Sequence, residues 1–218
     1  MLDKSTFRSY AKNKLKTNSQ AKCASYKSLK ALKQIIKAKK AKNILLYIPL
    51  NYEVDVLRLR RTLSKDANIF VPFMLDESLK IVKLRLPFLK GKFNISQAMD
   101  SMAHTPRIDL AVVPAIGVDA NMARIGHGMG FYDRFFSSLN YIPCIIFISA
   151  LDLFVKLRLC APHDIRGDFY VTSRRSYKGI INDRNHSWGL LASSGRSCRL
   201  YGSPQDKRCK LQHLRRTS

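Results

Sequence analysis

Residues 124–134, RIGHGMGFYDR, are where residue type and spacing in this 218-residue chain come nearest to chemistry. Gly126, Gly128 and Gly130 alternate there. Glycine lets the main chain take positive φ and approach a ligand closely, so successive N–H groups can cradle phosphate oxygens ahead of a following helix. Arg124 and Arg134 flank the loop, and each can offer a guanidinium fork to a phosphate. Asp133 falls in the first turn of the expected helix, where a carboxylate oxygen can hold a hard cation while nucleotide phosphates complete its shell. The same residues also suit a purely architectural glycine turn, with Asp133 favouring the helix dipole and both arginines in solvent. Two common nucleotide motifs are excluded: the dinucleotide fingerprint requires a third glycine where Phe131 stands, and Gly-Lys-Ser/Thr of the P-loop is absent.

The loop needs elements to hold it. Phe7, Ala11 and Leu15 recur every four residues, which predicts a helix over 5–17 with Lys4, Arg8 and Lys12 aligned on a neighbouring face. A second helix is expected up to Lys40, with Leu29, Leu32, Ile35 and Ile36 as its apolar edge. Short apolar runs at 43–49, 68–72, 109–114, 143–149 and 168–172 read as buried strands, with a further strand at 79–84. Residues 53–64 and 132–139 read as helices, and 88–102 as loop. Strands alternating with helical segments predict an α/β fold of three layers, a mostly parallel sheet with helices on both faces and an N-terminal helical pair. Ligands of such sheets bind beyond the carboxyl ends of the strands. From Arg174 onward the chain is rich in Arg, Ser and Gly without sustained period, so one domain over 1–173 and a poorly structured, disordered basic tail over 174–218 are expected.

RIGHGMGFYDR resembles the signature of the 5-formyltetrahydrofolate cyclo-ligase family, also called methenyltetrahydrofolate synthetases. Lys4 and Arg8, then YIPLNYEVDV at 47–56, VVP ahead of the loop and PHDIRGDFYVT at 162–172 join it in order. The resemblance implies closure of 5-formyltetrahydrofolate to 5,10-methenyltetrahydrofolate, with ATP and Mg2+ as cofactors and ADP and phosphate released. It implies ATP against Lys4, Ser5, Thr6, Phe7 and Arg8 of the first helix. On the loop it implies contacts from Arg124, Ile125, Gly126, His127, Gly128, Met129, Gly130, Phe131 and Tyr132. Folate would lie near Leu50, Glu53 and Asp55 and near His127 and Phe131. The metal carboxylates fall on Asp133 and Asp168, and Arg124 and Arg134 carry catalysis. Phosphoryl transfer to an amide oxygen requires charge neutralisation and in-line positioning more than a protein nucleophile, which cations and backbone N–H groups supply.

Several of these residues have a second reading. Glu53 and Asp55 stand where a helix N-terminus favours acids in any case. His127 can be a solvated spacer, and His104 and His163 are expected to be structural. Val56 replaces the Thr usual in the family, and Ala150, Leu151 and Asp152 stand where it commonly has Gln.

Composition sets the outer bounds. With 46% apolar and 25% charged residues the chain is globular in class. No apolar run approaches the ~18–20 residues of a membrane span, so no membrane association is expected. Five cysteines without a CxxC pair suggest neither a zinc site nor a disulfide framework, and a reducing, cytoplasmic setting is expected. The net charge of +24 is concentrated at the ends: 13 basic residues against one acid in 1–43, 15 against 12 in 44–173, and 11 against two in 174–218. The near-neutral centre argues against a nucleic-acid-binding protein, although the basic tail leaves such a partner open. A small-molecule folate substrate and a monomer are the expectation. Its competitors are a related α/β enzyme acting on another acyl or sugar-phosphate substrate, which would not need ATP, and a nucleic-acid-binding protein, whose affinity would fall steeply with salt.

Overall fold

The computed structural model describes residues 3–18, 21–75, 78–90, 96–98, 106–179 and 199–201. Helix α1 (Lys4–Lys16) starts at Asp3, whose carboxylate accepts from Thr6 N at 2.7 Å, and it buries the stripe Phe7, Ala11 and Leu15. Helix α2 (Ala21–Lys39) buries Leu29, Leu32 and Ile36. The chain then forms β1 (Asn43–Leu45), a 3-10 turn (Val56–Leu59), α3 (Arg60–Leu63), β2 (Asn68–Met74), β3 (Leu79–Lys83), β4 (Leu89–Lys90) and β5 (Ser96–Gln97). It continues through β6 (Leu110–Pro114), β7 (Gly117–Val118), β8 (Arg124–Ile125), α4 (Phe131–Ser137), β9 (Cys144–Ile148), β10 (Phe169–Val171), β11 (Ser176–Lys178) and β12 (Arg199–Tyr201).

The main sheet has eight strands in the order β12-β11-β10-β9-β6-β1-β2-β3. Its centre, from β10 to β2, is parallel, and antiparallel partners close both sides, β3 on β2 and β11 on β10. Alternate residues of each strand feed two cores, as the period of two requires. Ile44, Ile69, Leu110, Val112, Ile146 and Val171 meet α1 and α2 on one face. Leu45, Phe70, Ala111, Val113, Ile145, Phe147 and Tyr170 meet Phe135 and Phe136 of α4 on the other. The three-layer, mostly parallel α/β arrangement with an N-terminal helical pair is therefore the observed one. Among the described residues, no helix is long and apolar enough to cross a membrane.

Some elements differ from expectation. The strand expected to reach Pro49 ends at Leu45, although Leu46 N still donates to Phe70 O at 2.8 Å. The helix expected over 53–64 starts only at Val56 and begins as a 3-10 turn, because Asp55 (φ −73, ψ 81) is not helical and makes no side-chain cap. Within 88–102, expected as loop, β4 and β5 pair as a two-residue antiparallel ladder; residues 91–95 and 99–102 lie outside the described residues. The boundary expected after Ser173 does not coincide with the edge of the sheet, because β11 adds a strand beyond it. Tyr177 of β11 is buried, stacks on Phe154 at 4.6 Å and on Tyr170 at 5.7 Å, and donates to both Asp152 oxygens at 2.9 Å. The rest of the expected disordered tail, 180–198 and 202–218, lies outside the described residues.

Candidate active site

Strand β6 ends at Pro114, and the short antiparallel pair of β7 and β8 brings Arg124 back beside it. Arg124 is only 6% exposed. Its guanidinium donates to Pro114 O at 3.3 Å and to Asp133 Oδ2 at 3.2 Å, and lies 5.2 Å from the Tyr132 ring centre. The Asp133 carboxylate is held from its other side, where Oδ1 accepts from Ile165 N at 3.1 Å. Burial, then the Glu53 charge, pushes the Tyr132 phenol well up, so the ring under Arg124 stays neutral.

The glycines are where the geometry demands them. A Cβ on Gly126 would stand 2.4 to 2.8 Å from the Arg124 guanidinium, which is pinned at both ends of its fork, so only glycine lets that cation lie across the main chain. Gly128 has φ +104, a conformation that L side chains rarely adopt. Gly130, in the left-handed region, then turns the chain into α4. Arg8 reaches the loop from α1 and donates through Nε to Gly126 O at 2.8 Å.

Together these residues line a cleft of about 290 Å³ formed by Lys4, Arg8, Arg124, Gly126, Gly128, Gly130, Asp133, Arg134, His163 and Asp164. Four permanent cations face two carboxylates there, which leaves the cleft net positive. Arg124 Nε is buried without a hydrogen-bond partner, a donor that folding alone leaves unsatisfied. Positive charge and open glycine backbone suit a polyphosphate. Among the described residues no group of three or more His, Cys, Asp or Glu could cage a metal. Asp133 and Asp164 are the carboxylates of the cleft that could hold Mg2+, an ion that commonly takes one or two carboxylates.

The structure sorts the expected site residues. Lys4, Arg8, Arg124, Gly126, Gly128, Gly130, Asp133 and Arg134 are brought together in the cleft. Arg134 also lies 5.2 Å from the Phe131 ring centre. Phe7 and Ile125 belong to the core by their side chains and are not among the cleft's lining residues. Ser5 donates to the Asp3 carboxylate and Thr6 N to the same group, so both serve the start of α1. Met129 is 54% exposed on the loop. Asp168 is not brought to the cleft. Its Oδ2 accepts from Ile145 N at 2.7 Å near the amino end of β9, three residues or about 10 Å along the strand from the level of Pro114.

Glu53, His127 and Tyr52 form a second cluster beside the loop. Glu53 Oε1 lies 3.3 Å from His127 Nε2, and Oε2 accepts from Leu50 N at 3.0 Å. Tyr52 Oη lies 3.4 Å from both ring nitrogens of His127. Burial, then the Glu53 charge, pushes the Tyr52 phenol up to about 12, so it remains protonated at neutral pH. Asp55 turns away to an exposed pair with Arg58 at 3.3 Å. Val56 is fully buried in the core, so its departure from the family's Thr is a matter of packing.

Sequence reasoning missed Asp164. Its carboxylate meets Lys4 Nζ at 2.6 Å and Ala161 N at 2.7 Å and is 6% exposed, while neighbouring His163, expected to be structural, lines the cleft. The signal was its place in Pro162-His163-Asp164, a turn within the PHDIRGDFYVT match. Tyr52, between Leu50 and Glu53, was missed as well.

Fold and cleft define an α/β protein with a net positive, glycine-lined pocket beside the sheet. The sequence profile of the 5-formyltetrahydrofolate cyclo-ligase family matches residues 4–152, and the chain belongs to that family of enzymes. No curated protein matches the chain. Among solved structures, the 5,10-methenyltetrahydrofolate synthetase of Aquifex aeolicus is similar, at 24% identity and a TM-score of 0.69 over 84% of this chain and 96% of that one. The 5,10-methenyltetrahydrofolate synthetase of Mycoplasma pneumoniae is similar at 21% identity and a TM-score of 0.61, over 79% of this chain and 99% of that one. At these identities the likeness is one of fold.

Proposed function

We propose that the chain converts 5-formyltetrahydrofolate to 5,10-methenyltetrahydrofolate, consuming ATP in the presence of Mg2+ and releasing ADP and phosphate. The observation that carries this reading is the cleft itself: Lys4, Arg8, Arg124 and Arg134 around an open glycine main chain, with Asp133 and Asp164 facing them. ATP supplies the phosphoryl group that makes the formyl oxygen a leaving group, after which N10 closes the ring and phosphate departs.

The chain's own residues do the positioning. Arg124, locked by Pro114 O and Asp133, offers a preorganised charge that requires no rearrangement as negative charge builds on the transferring group. Arg8, tied to Gly126 O, joins α1 to the loop so that both sides of the cleft keep one spacing. Asp133 and Asp164 would be the carboxylates to hold Mg2+, which would neutralise phosphate charge. The Glu53, His127 and Tyr52 cluster, next to Leu50 and Phe131, offers polar groups to the folate side of the reaction. No protein nucleophile is required, and Cys160 is unsuited to be one, because burial, then the Asp119 charge, pushes its thiol up to about 12.

The test is the absorbance rise of methenyltetrahydrofolate on adding 5-formyltetrahydrofolate to the full chain, with and without MgATP. A rise that requires both MgATP and the protein is the expected result. A rise independent of nucleotide, or none at all, rejects the reading.

A further inference from the structure

The geometry points to Asp119 as a positioning residue of the cleft, a carboxylate that clamps the strand carrying Arg124 to the turn carrying Asp164. This rests on the functional reading above, for which it supplies the part that sets the cations and carboxylates in register.

Asp119 is completely buried and touches nothing in the cleft. Its Oδ1 accepts from Asn121 N and Ala123 N, both at 2.9 Å. Its Oδ2 accepts from Leu159 N at 3.1 Å and Cys160 N at 3.0 Å. One oxygen thus serves the segment that ends in Arg124, one residue after Ala123, and the other serves the segment that ends in Asp164, four residues after Cys160. Main-chain bonds also join this region, as in Arg124 N to Ile165 O at 3.0 Å and Gly167 N to Met122 O at 2.9 Å. Asp119 adds a side-chain link in which both oxygens are used, so a slip of either segment breaks hydrogen bonds to a buried carboxylate. Such a slip is costly.

The arrangement has a built-in reporter. Cys160 Sγ lies 3.5 Å from Arg124 O and 3.8 Å from Ala123 O, at the seam the carboxylate closes. Its thiol is held protonated chiefly by burial and secondly by the Asp119 charge, so in the intact seam it is slow towards alkylating reagents. Opening the seam, or removing that charge, lowers the thiol's pKa and speeds its alkylation.

Asp119→Asn tests the inference, since it preserves size but presents an NH2 group to backbone N–H donors. The control is Asp109→Asn, which removes a carboxylate that accepts from Lys42 N and Asn43 N far from the cleft. In the full chain, below the melting temperature of both variants, Asp119→Asn is expected to lower kcat/KM for MgATP about 100-fold, the scale of an ångström-sized misplacement. Site-resolved mass spectrometry with iodoacetamide should show Cys160 alkylated several times faster, with Cys144 unchanged. Asp109→Asn should leave both readouts at the level of the unsubstituted chain. The inference is overturned if Asp119→Asn matches the unsubstituted chain in both, or if Asp109→Asn with the same loss of melting temperature reproduces its kinetic defect. Should Asp119→Asn not fold, hydrogen exchange on the unsubstituted chain decides: slow exchange of 121–124 and 159–161 as one protected unit is expected, and rapid exchange of either overturns the clamp. Thiol labelling and exchange need no substrate. An unsubstituted chain without MgATP-dependent cyclisation would therefore reject the functional reading and leave the clamp to be judged by itself.

Discussion

Beside the carboxyl end of β6, Asp133 and Asp164 each accept one backbone N–H and meet one side-chain cation, Arg124 and Lys4 respectively. Towards the amino ends of the strands, Asp109 accepts from Lys42 N and Asn43 N, and Asp168 accepts from Ile145 N. The difference separates the cleft from the opposite end of the sheet. Asp109 and Asp168 hold main-chain amides at the starts of strands. Asp133 and Asp164 each combine one backbone bond with a side-chain cation that also borders the cleft. At the amino end Asp168 is buried and Asp109 exposed, whereas Asp133 and Asp164 stand against the cations of the cleft.

Substitutions can break or sharpen that contrast. The largest effect is expected from Asp133→Asn, which retains an acceptor for Ile165 N but removes the charge facing Arg124: turnover should fall by about 100-fold or more, read as the rate of methenyltetrahydrofolate absorbance. Unchanged turnover would remove Asp133 from the site. Ending the chain after Ser173 deletes buried Tyr177 with its stacking on Tyr170 and Phe154, and should cost about 3–5 kcal/mol of stability in a denaturant titration. Ending it after Gly179 retains β11 and should cost less. Arg134→Ala should raise KM for MgATP about tenfold with a smaller change in kcat, and an unaltered nucleotide titration would release Arg134 from the cleft. The smallest catalytic effect is expected at the other end of the sheet. There Asp168→Asn should lower stability by about 1–3 kcal/mol while turnover persists. A folded variant without turnover would return Asp168 to the metal site and erase the contrast.

Much of this was legible in the sequence, for a local reason. In a buried parallel sheet each strand is a short apolar run, so the runs at 68–72, 109–114 and 143–149 led directly to β2, β6 and β9. Three alternating glycines between two arginines announced a loop that lies open to a ligand, and the structure surrounds it with the expected cations. The misreadings were of another kind. Residues 53–64 carry a helical apolar pattern, but Asp55 leaves helical geometry and the element shrinks to a 3-10 turn and α3. Ser173 looked like a boundary because the composition changes there, whereas β11 and its buried tyrosine lie just beyond.

The amino-acid sequence by itself determined which faces are buried, where the glycine loop stands and which charges border it, because periodicity and backbone freedom are local properties. Tertiary structure decided which carboxylates stand beside those charges. Lys4 and Asp164 are 160 residues apart and meet at 2.6 Å, while Asp168, four residues further on, lies about 10 Å below the level of Pro114 and hydrogen-bonds to Ile145 N. No local pattern distinguishes two aspartates in one short segment; the register of β10 beside β9 does, by setting how far each stands from the end of the sheet.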